Sequence, residues 1–160
     1  MMAFMIDHFD LQLLDAVQRD DGRTAEQLAD SVPLSPSAIA RRLRRLRSEG
    51  WIARTIALLS PKLTDTRLRA VVTIVLNEHA DLAGKAALRD RLIAAEEVQW
   101  CYEITGGFDL VALVVCRHME AFNALADRVL AADAVVRRYE TSFVKREVKF
   151  APFARLTEPG

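Results

Sequence analysis

The segment Leu34-Ser-Pro-Ser-Ala-Ile-Ala-Arg-Arg-Leu-Arg-Arg-Leu-Arg-Ser-Glu-Gly50 carries the signals for both ends of one helix. Ser35 suits the N-cap, where its hydroxyl accepts from a first-turn amide, and Pro36 suits the first helical position, whose amide has no intrahelical partner. Gly50 suits the left-handed residue that closes the last turn. Between these ends Ile39, Leu43 and Leu46 recur at helical spacing and must face a core, which leaves Arg41, Arg42, Arg44, Arg45 and Arg47 on the remaining surface. A solvated bundle helix interleaves acids four residues from its bases, and here only Arg45 and Glu49 offer that pairing. An arginine face of this kind suits the backbone and base edges of double-stranded DNA, so the segment reads as a recognition helix. Arg41, Arg42 and Arg45 are the residues expected at phosphate or guanine. Ser35 and Ser37 join them at the helix N-terminus, where backbone amides also favour phosphate.

Upstream of this helix the chain reads as two more. Asp10 is the expected cap of the first, with Leu11, Leu14 and Val17 on one face. Thr24 and Gln27 have capping-box spacing for the second, whose apolar stripe runs through Leu28, Ala29 and Val32 to the break at Val32-Pro33-Leu34. Two short helices, the second basic, make a helix-turn-helix that seats its second helix in the major groove. Downstream, Trp51 to Leu59 is apolar and β-branched enough to be extended, and Ser60-Pro61-Lys62 ends that connector. Charge is unevenly spread: residues 1–33 hold two arginines against seven acids, and residues 34–54 hold six arginines against Glu49 alone. The formal net charge of +0 therefore hides a positive field focused on one helix.

The second half changes period. Leu68 to Leu76, Gln99 to Thr105, Phe108 to Arg117 and Arg138 to Phe150 read as strands. Ala80 to Ala95, with Leu88 and Leu92 inward, and Met119 to Ala132, with Phe122, Leu125, Ala126, Val129 and Leu130 on one face, read as helices. The order β-α-β-β-α-β predicts a ferredoxin-like antiparallel sheet with both helices on one side. The fold class is thus α+β: a winged-type helix-turn-helix over 1–52, an extended linker over 53–66, and the ferredoxin-like domain over 67–160. The third strand is apolar on both faces, since Val111, Leu113 and Val115 alternate with Leu110, Ala112, Val114 and Cys116. Helices cover one face only, so the other needs a partner, most simply a second copy related by two-fold symmetry, or else the connector or N-terminal domain folding back. A dimer would also set two recognition helices about one DNA turn apart.

At 160 residues, 51% hydrophobic and 28% charged, the chain has ordinary globular composition and room for real cores. No apolar run approaches the roughly 20 residues that span a bilayer, and the first residues lack the pattern of a secretion signal, so no membrane partner and a cytoplasmic location are expected. Cys101 and Cys116 have neither metal-ligand nor Cys-x-x-Cys spacing and read as buried reduced thiols, with no metal and no cofactor expected. His8, His79 and His118 lie in three separate places without a nucleophile motif, so no catalytic residue is assigned.

Beyond this bottom-up reading, the chain resembles, over nearly its whole length, the leucine-responsive regulatory protein and AsnC family of prokaryotic transcription regulators. The resemblance rests on Asp10-Leu-Gln-Leu-Leu-Asp15, Asp21-Gly-Arg-Thr24, Leu34-Ser-Pro-Ser-Ala38, Arg44-Arg-Leu46, Glu49-Gly-Trp-Ile52 and Thr105-Gly-Gly-Phe-Asp-Leu110. It implies a DNA-binding N-terminal domain and a C-terminal domain that oligomerises, as dimers assembling into tetramers or octamers, and binds an amino acid or related small-molecule effector. Its Gly-rich turn corresponds here to Thr105, Gly106, Gly107 and Asp109, with Met119 and Thr141 carried over near the same pocket. Glycine amides suit a carboxylate and Asp109 suits an ammonium group, although a tight hairpin would need glycine with no ligand at all. Three positions depart from the family pattern: Pro33 where glycine is usual between the two DNA-binding helices, Gly107 in place of a polar or acidic side chain, and Tyr139 in place of a threonine. Two other readings stay open, an architectural DNA-binding protein that responds to no effector and an enzyme like the tetrapyrrole-processing relatives of this architecture.

Overall fold

The computed structural model describes residues 5–79, 81–131 and 134–157. It divides into two compact units, residues 1–58 together with 149–160, and residues 59–148.

The first unit is built on three helices, α1 (His8–Val17), α2 (Ala25–Ala29) and α3 (Pro36–Ser48). Leu13, Leu14, Leu28, Val32, Ile39, Leu43 and Leu46 form its core. Caps fix the helix starts: Thr24 and Gln27 make the reciprocal capping box, and the Ser35 hydroxyl accepts from the amide of Ala38 at 3.3 Å with Pro36 in the first turn. Gly50 has φ +80°, the left-handed conformation expected of it. For α1 the cap lies one turn earlier than expected. Asp7 is the N-cap and Asp10 is its capping-box partner, so Asp10 points inward and is buried. That turn of register also brings Leu13 fully inside, while Leu11 is half-buried. The turn before α3 is made without positive φ: the amide of Leu34 donates to the carbonyl of Val32 at 2.7 Å, a three-residue turn centred on Pro33 whose φ a proline supplies.

The second unit carries a short helix, α4 (Pro61–Thr64), and then the order β1 (Leu68–Leu76), α5 (Leu82–Ala94), β2 (Val98–Glu103), β3 (Leu110–Cys116), α6 (Met119–Ala126) and β4 (Val136–Phe143). A π-helical turn, Asp127–Ala131, prolongs α6. The antiparallel sheet runs β2-β3-β1-β4, with Val72 opposite Ala112 on one side and Thr141 on the other. This is the ferredoxin-like arrangement expected from the element order. Ala70, Val72, Ile74, Leu110, Val114 and Cys116 face Leu88, Leu92, Phe122, Leu125, Ala126, Val129 and Leu130, so the helices sit on one side. The expected helix ends Ala80 and Ala132 lie outside the described residues.

β4 ends at Phe143, seven residues before the strand end expected from sequence, and the segment beyond residue 149 groups with the first unit. There the carboxylate of Asp15 accepts from the amides of Leu156 and Thr157 at 2.8 and 3.0 Å and from the Thr157 hydroxyl at 2.7 Å. Gln18 and the backbone of Ala154 exchange two hydrogen bonds of 3.0 Å, and the Arg19 guanidinium lies over the Phe153 ring. No helix among the described residues is long and apolar enough to cross a membrane.

Candidate nucleic-acid interface

The side chains of α3 sort into three stripes. Ile39, Leu43 and Leu46 are buried, and opposite them Ser37, Arg41, Arg44 and Ser48 are exposed. At 3.6 residues per turn those four positions fall within about 60° of arc, so they form one ridge. Ser35 is exposed at its N-terminal end. Among the described residues neither Arg41 nor Arg44 has an acidic partner within salt-bridge distance.

The third stripe faces α1. Arg42 Nη1 donates to Asp7 Oδ2 at 2.7 Å and to Asp10 Oδ1 at 2.8 Å, and Arg45 Nη2 donates to Asp10 Oδ2. Asp10 is 0% exposed, and its carboxylate also accepts from the amide of Asp7 at 3.2 Å. A lone buried carboxylate costs several kcal/mol of lost hydration. Two guanidiniums and a backbone amide offset that cost here. Burial works against the charge of Asp7, but the amide of Asp10 and the Arg42 guanidinium outweigh it and hold the carboxyl below its usual value. The same two carboxylates, Asp10 first, raise the pKa of Arg42 further, and its guanidinium also lies over the Phe9 ring. Arg47 is tied down as well, to Asp21 at 2.6 Å, and Thr55 donates to the other oxygen of that acid at 3.0 Å.

Of the residues expected at DNA, then, Ser35, Ser37 and Arg41 lie on the exposed ridge, whereas Arg42 and Arg45 are turned toward α1. Arg44 joins the ridge although sequence reasoning did not single it out. The signal was present, since position 44 is opposite the apolar stripe, but a uniform run of arginines does not say which of them is spoken for. The acidic partners come from α1 and its cap, 32 to 35 residues away, where no i, i+4 search looks.

In the second unit Thr105, Gly106 and Gly107 form an exposed turn in which Gly106 has φ +131°. A Cβ at either glycine would meet nothing within 4 Å, so backbone conformation at Gly106, not crowding, calls for glycine there. Asp109 Oδ2 accepts from the amide of Leu76 at 2.8 Å and so ties the turn to the end of β1. Met119 begins α6 beyond the far end of β3, roughly 20 Å of strand from the turn. Thr141 lies midway on β4, half-buried. Within one chain these residues do not converge on one pocket.

Comparison with known proteins agrees with both units. Residues 6–53 match the winged helix-turn-helix DNA-binding family, and residues 69–152, more than half of the chain, match the Lrp/AsnC ligand binding domain. The chain belongs to the Lrp/AsnC family. Its relatives include an HTH-type transcriptional regulator of Sinorhizobium fredii, 35% identical over 95% of this chain and 89% of that protein. The leucine-responsive regulatory protein of Escherichia coli K12 is 31% identical over 90% and 87%. Among solved Lrp/AsnC-like structures, a transcriptional regulator from Neisseria meningitidis in complex with L-methionine superposes with TM-score 0.79 at 26% identity, covering 92% of this chain and 95% of that one. The feast or famine regulatory protein of M. tuberculosis complexed with L-methionine gives TM-score 0.76 at 28% identity, covering 94% and 99%. This Lrp/AsnC chain is accordingly an HTH-type transcription regulator whose DNA-binding unit is the N-terminal one.

The histidines of this Lrp/AsnC regulator have local partners or lie apart. His8 bonds Gln12 at 2.9 Å on α1, and His118 Nδ1 accepts from the amide of Ala121 as the N-cap of α6. His79 lines an open cleft of about 610 Å³ with Asn77, Glu78, Asp81, Ala134, Val135 and Arg137, none of them a residue carried over as effector-binding. Burial, with Glu103 near one and Glu97 near the other, pushes the Cys101 and Cys116 thiols up, which leaves them poor nucleophiles.

Proposed function

We propose that this regulator binds double-stranded DNA as a homo-oligomer through the ridge Ser35, Ser37, Arg41, Arg44 and Ser48, and that an amino acid held by the second unit modulates that binding. The observation that carries the DNA contact is the ridge itself: two exposed arginines without an acidic partner among the described residues, opposite the apolar stripe of a capped helix in a winged helix-turn-helix. Arginine at that position supplies bidentate donors to guanine or phosphate, and the serines supply shorter contacts at the helix N-terminus. A labelled duplex should bind the wild-type protein, and Arg41→Ala with Arg44→Ala should abolish that binding without lowering the melting temperature; unchanged affinity would remove the ridge from the interface.

The sheet supports self-association. Val71, Val111, Leu113, Val115 and Trp100 lie on the face opposite α5 and α6, and Tyr102 on the same face is 61% exposed. Ile56, Leu58, Leu59 and Leu63 are exposed as well. A second copy is the simplest cover for so much apolar area.

The effector reading draws on the Thr105–Asp109 turn and on the two neighbours solved with L-methionine. Because the turn and Met119 stand at opposite ends of β3, a ligand that touches both, with Thr141, needs residues from two chains. Effector binding is then a property of the oligomer, not of the folded subunit. A thermal-shift screen against the common amino acids, L-methionine first, tests this, since a ligand of the native state raises stability as RT ln(1 + [L]/Kd). A selective shift, lost in Asp109→Ala, supports the reading. No shift with any amino acid would favour a regulator that bends or bridges DNA without sensing. We assign no catalytic role to any residue and expect the protein to work in the cytoplasm.

A further inference from the structure

The structure assigns to Asp10 the role of a positioning residue: it withholds Arg42 and Arg45 from DNA and fixes the rotation of α3, so that only Arg41 and Arg44 of its central arginines present to the groove. This rests on the DNA-binding reading above. Asp10 is the acid nearest the middle of the interaction, fully buried, and it bonds both guanidiniums at once, one through each oxygen. Asp7 adds a second bond to Arg42 and closes the capping box with Asp10, so the start of α1 and one flank of α3 are locked together. The side chains of Arg42 and Arg45 keep only 22% and 31% of their exposure.

The consequence for recognition follows from helix geometry. Arg45 flanks Arg41 by about 40° around the axis and Arg42 lies further round toward α1. Without the carboxylate, Arg45 could swing out to a phosphate beside the groove, and α3 would be free to roll and offer different side chains. A helix with more movable arginines would bind any duplex more tightly through the backbone, and phosphate contacts carry no sequence information. By holding two of them internally, with Asp7 as the second acid on Arg42, Asp10 lowers affinity for DNA in general and leaves base-reading groups as a larger share of the contact.

Salt titration separates this role from simple structural support, because the log–log slope of affinity against salt reports the number of phosphates neutralised, about 0.9 per contact. The probe is a fluorescein-labelled mixed-sequence duplex several turns long, with each variant also melted. Arg41→Met should flatten the slope by about one with the melting temperature unchanged. Arg42→Met should lower the melting temperature and leave the slope as in the wild type. Asp10→Asn, which keeps the shape and removes the charge, should steepen the slope and tighten binding to the mixed duplex as the loosened Arg45 guanidinium reaches a phosphate, while Asp7 still holds Arg42. The inference is overturned if Arg42→Met flattens the slope as Arg41→Met does, or if folded Asp10→Asn has an unchanged or shallower slope. Should Asp10→Asn not fold, Arg42→Met alone decides between the two. Failure of the wild-type protein to bind the duplex would instead strike at the DNA-binding reading, and would do so before any variant was compared.

Discussion

Asp15 shows how much one carboxylate can hold. It is 7% exposed, and its hydrogen-bond donors stand 141 and 142 positions along the chain, at Leu156 and Thr157. Burial raises its pKa, but the Thr157 hydroxyl and the two amides outweigh that, with Arg19 adding a favourable charge, so the carboxyl titrates below its usual value. A group whose pKa falls on folding stabilises the native state above its unfolded value, and that contribution fades as pH drops toward the folded value. Asp15→Asn should therefore cost about 1.5–3 kcal/mol near neutral pH. In urea unfolding against pH, the gap between wild type and variant should stay constant above about pH 5 and shrink below about pH 4. A gap that persists to lower pH would mean that shape, not charge, is what Asp15 contributes. Asp10 differs in that two of its three donors are guanidiniums, with one backbone amide, and its value lies in where it points them.

At the scale of elements, what the sequence made legible was local. The caps Thr24, Ser35 and Pro36 and the left-handed Gly50 all act within a turn of themselves, and each is found where its chemistry places it. The inward faces of α5 and α6 were equally legible, because Leu88, Leu92 and Phe122 through Leu130 obey the helical period. Asp7 and Asp10 could not be told apart as caps, since both are aspartates on the same turn and only the distant arginines break the tie. The end of β4 was hidden for a similar reason: Val148-Lys149-Phe150 alternates as a strand would, yet after the amide of Val144 bonds Arg69 the strand has ended. The site was legible as a helix and not as a choice among its arginines. One helix start also sets a close approach. A Cβ on Gly84 would sit 2.6 Å from Cγ2 of Val135 and 2.9 Å from Oδ1 of Asp81, the acid that caps α5. Valine has little rotational freedom, and moving Asp81 would break its 2.7 Å bond to the Gly84 amide. Alanine gains at most about 1 kcal/mol in helix propensity. Overpacking costs about 1–3 kcal/mol, so Gly84→Ala should lower the denaturation midpoint although alanine is the better helix former. A raised midpoint would show that Val135 gives way easily.

For the molecule as a whole, the apolar sheet face opposite the helices and the returning C-terminal segment make separate predictions. Leu113 lies at the centre of the apolar face, opposite Val71 on β1 and Trp100 on β2. Leu113→Glu should leave the helix and sheet content intact by circular dichroism yet shift the protein toward monomer in sedimentation, and DNA affinity should fall with it because paired half-sites are lost. An unchanged sedimentation coefficient would place the self-association surface elsewhere. Ending the chain after residue 148 should lower the melting temperature of the first unit, since Asp15, Gln18 and Arg19 all lose partners. A truncated protein as stable as the full chain would reduce the segment to an ornament.

That returning segment also puts the synthesis of the protein in a particular order. The helices that meet DNA leave the ribosome early, but Asp15 cannot be satisfied until residues 156 and 157 have followed, about 100 residues later. At translation speeds of about 5–20 residues per second this is a wait of roughly 5–20 s. During that interval the second unit can form while the first is still open along α1. A chain cut short between the two units by a stalled ribosome or a premature stop would carry the recognition helix without the segment that satisfies Asp15, so a DNA-binding unit with all its hydrogen bonds made is a sign that the second unit has been synthesised too.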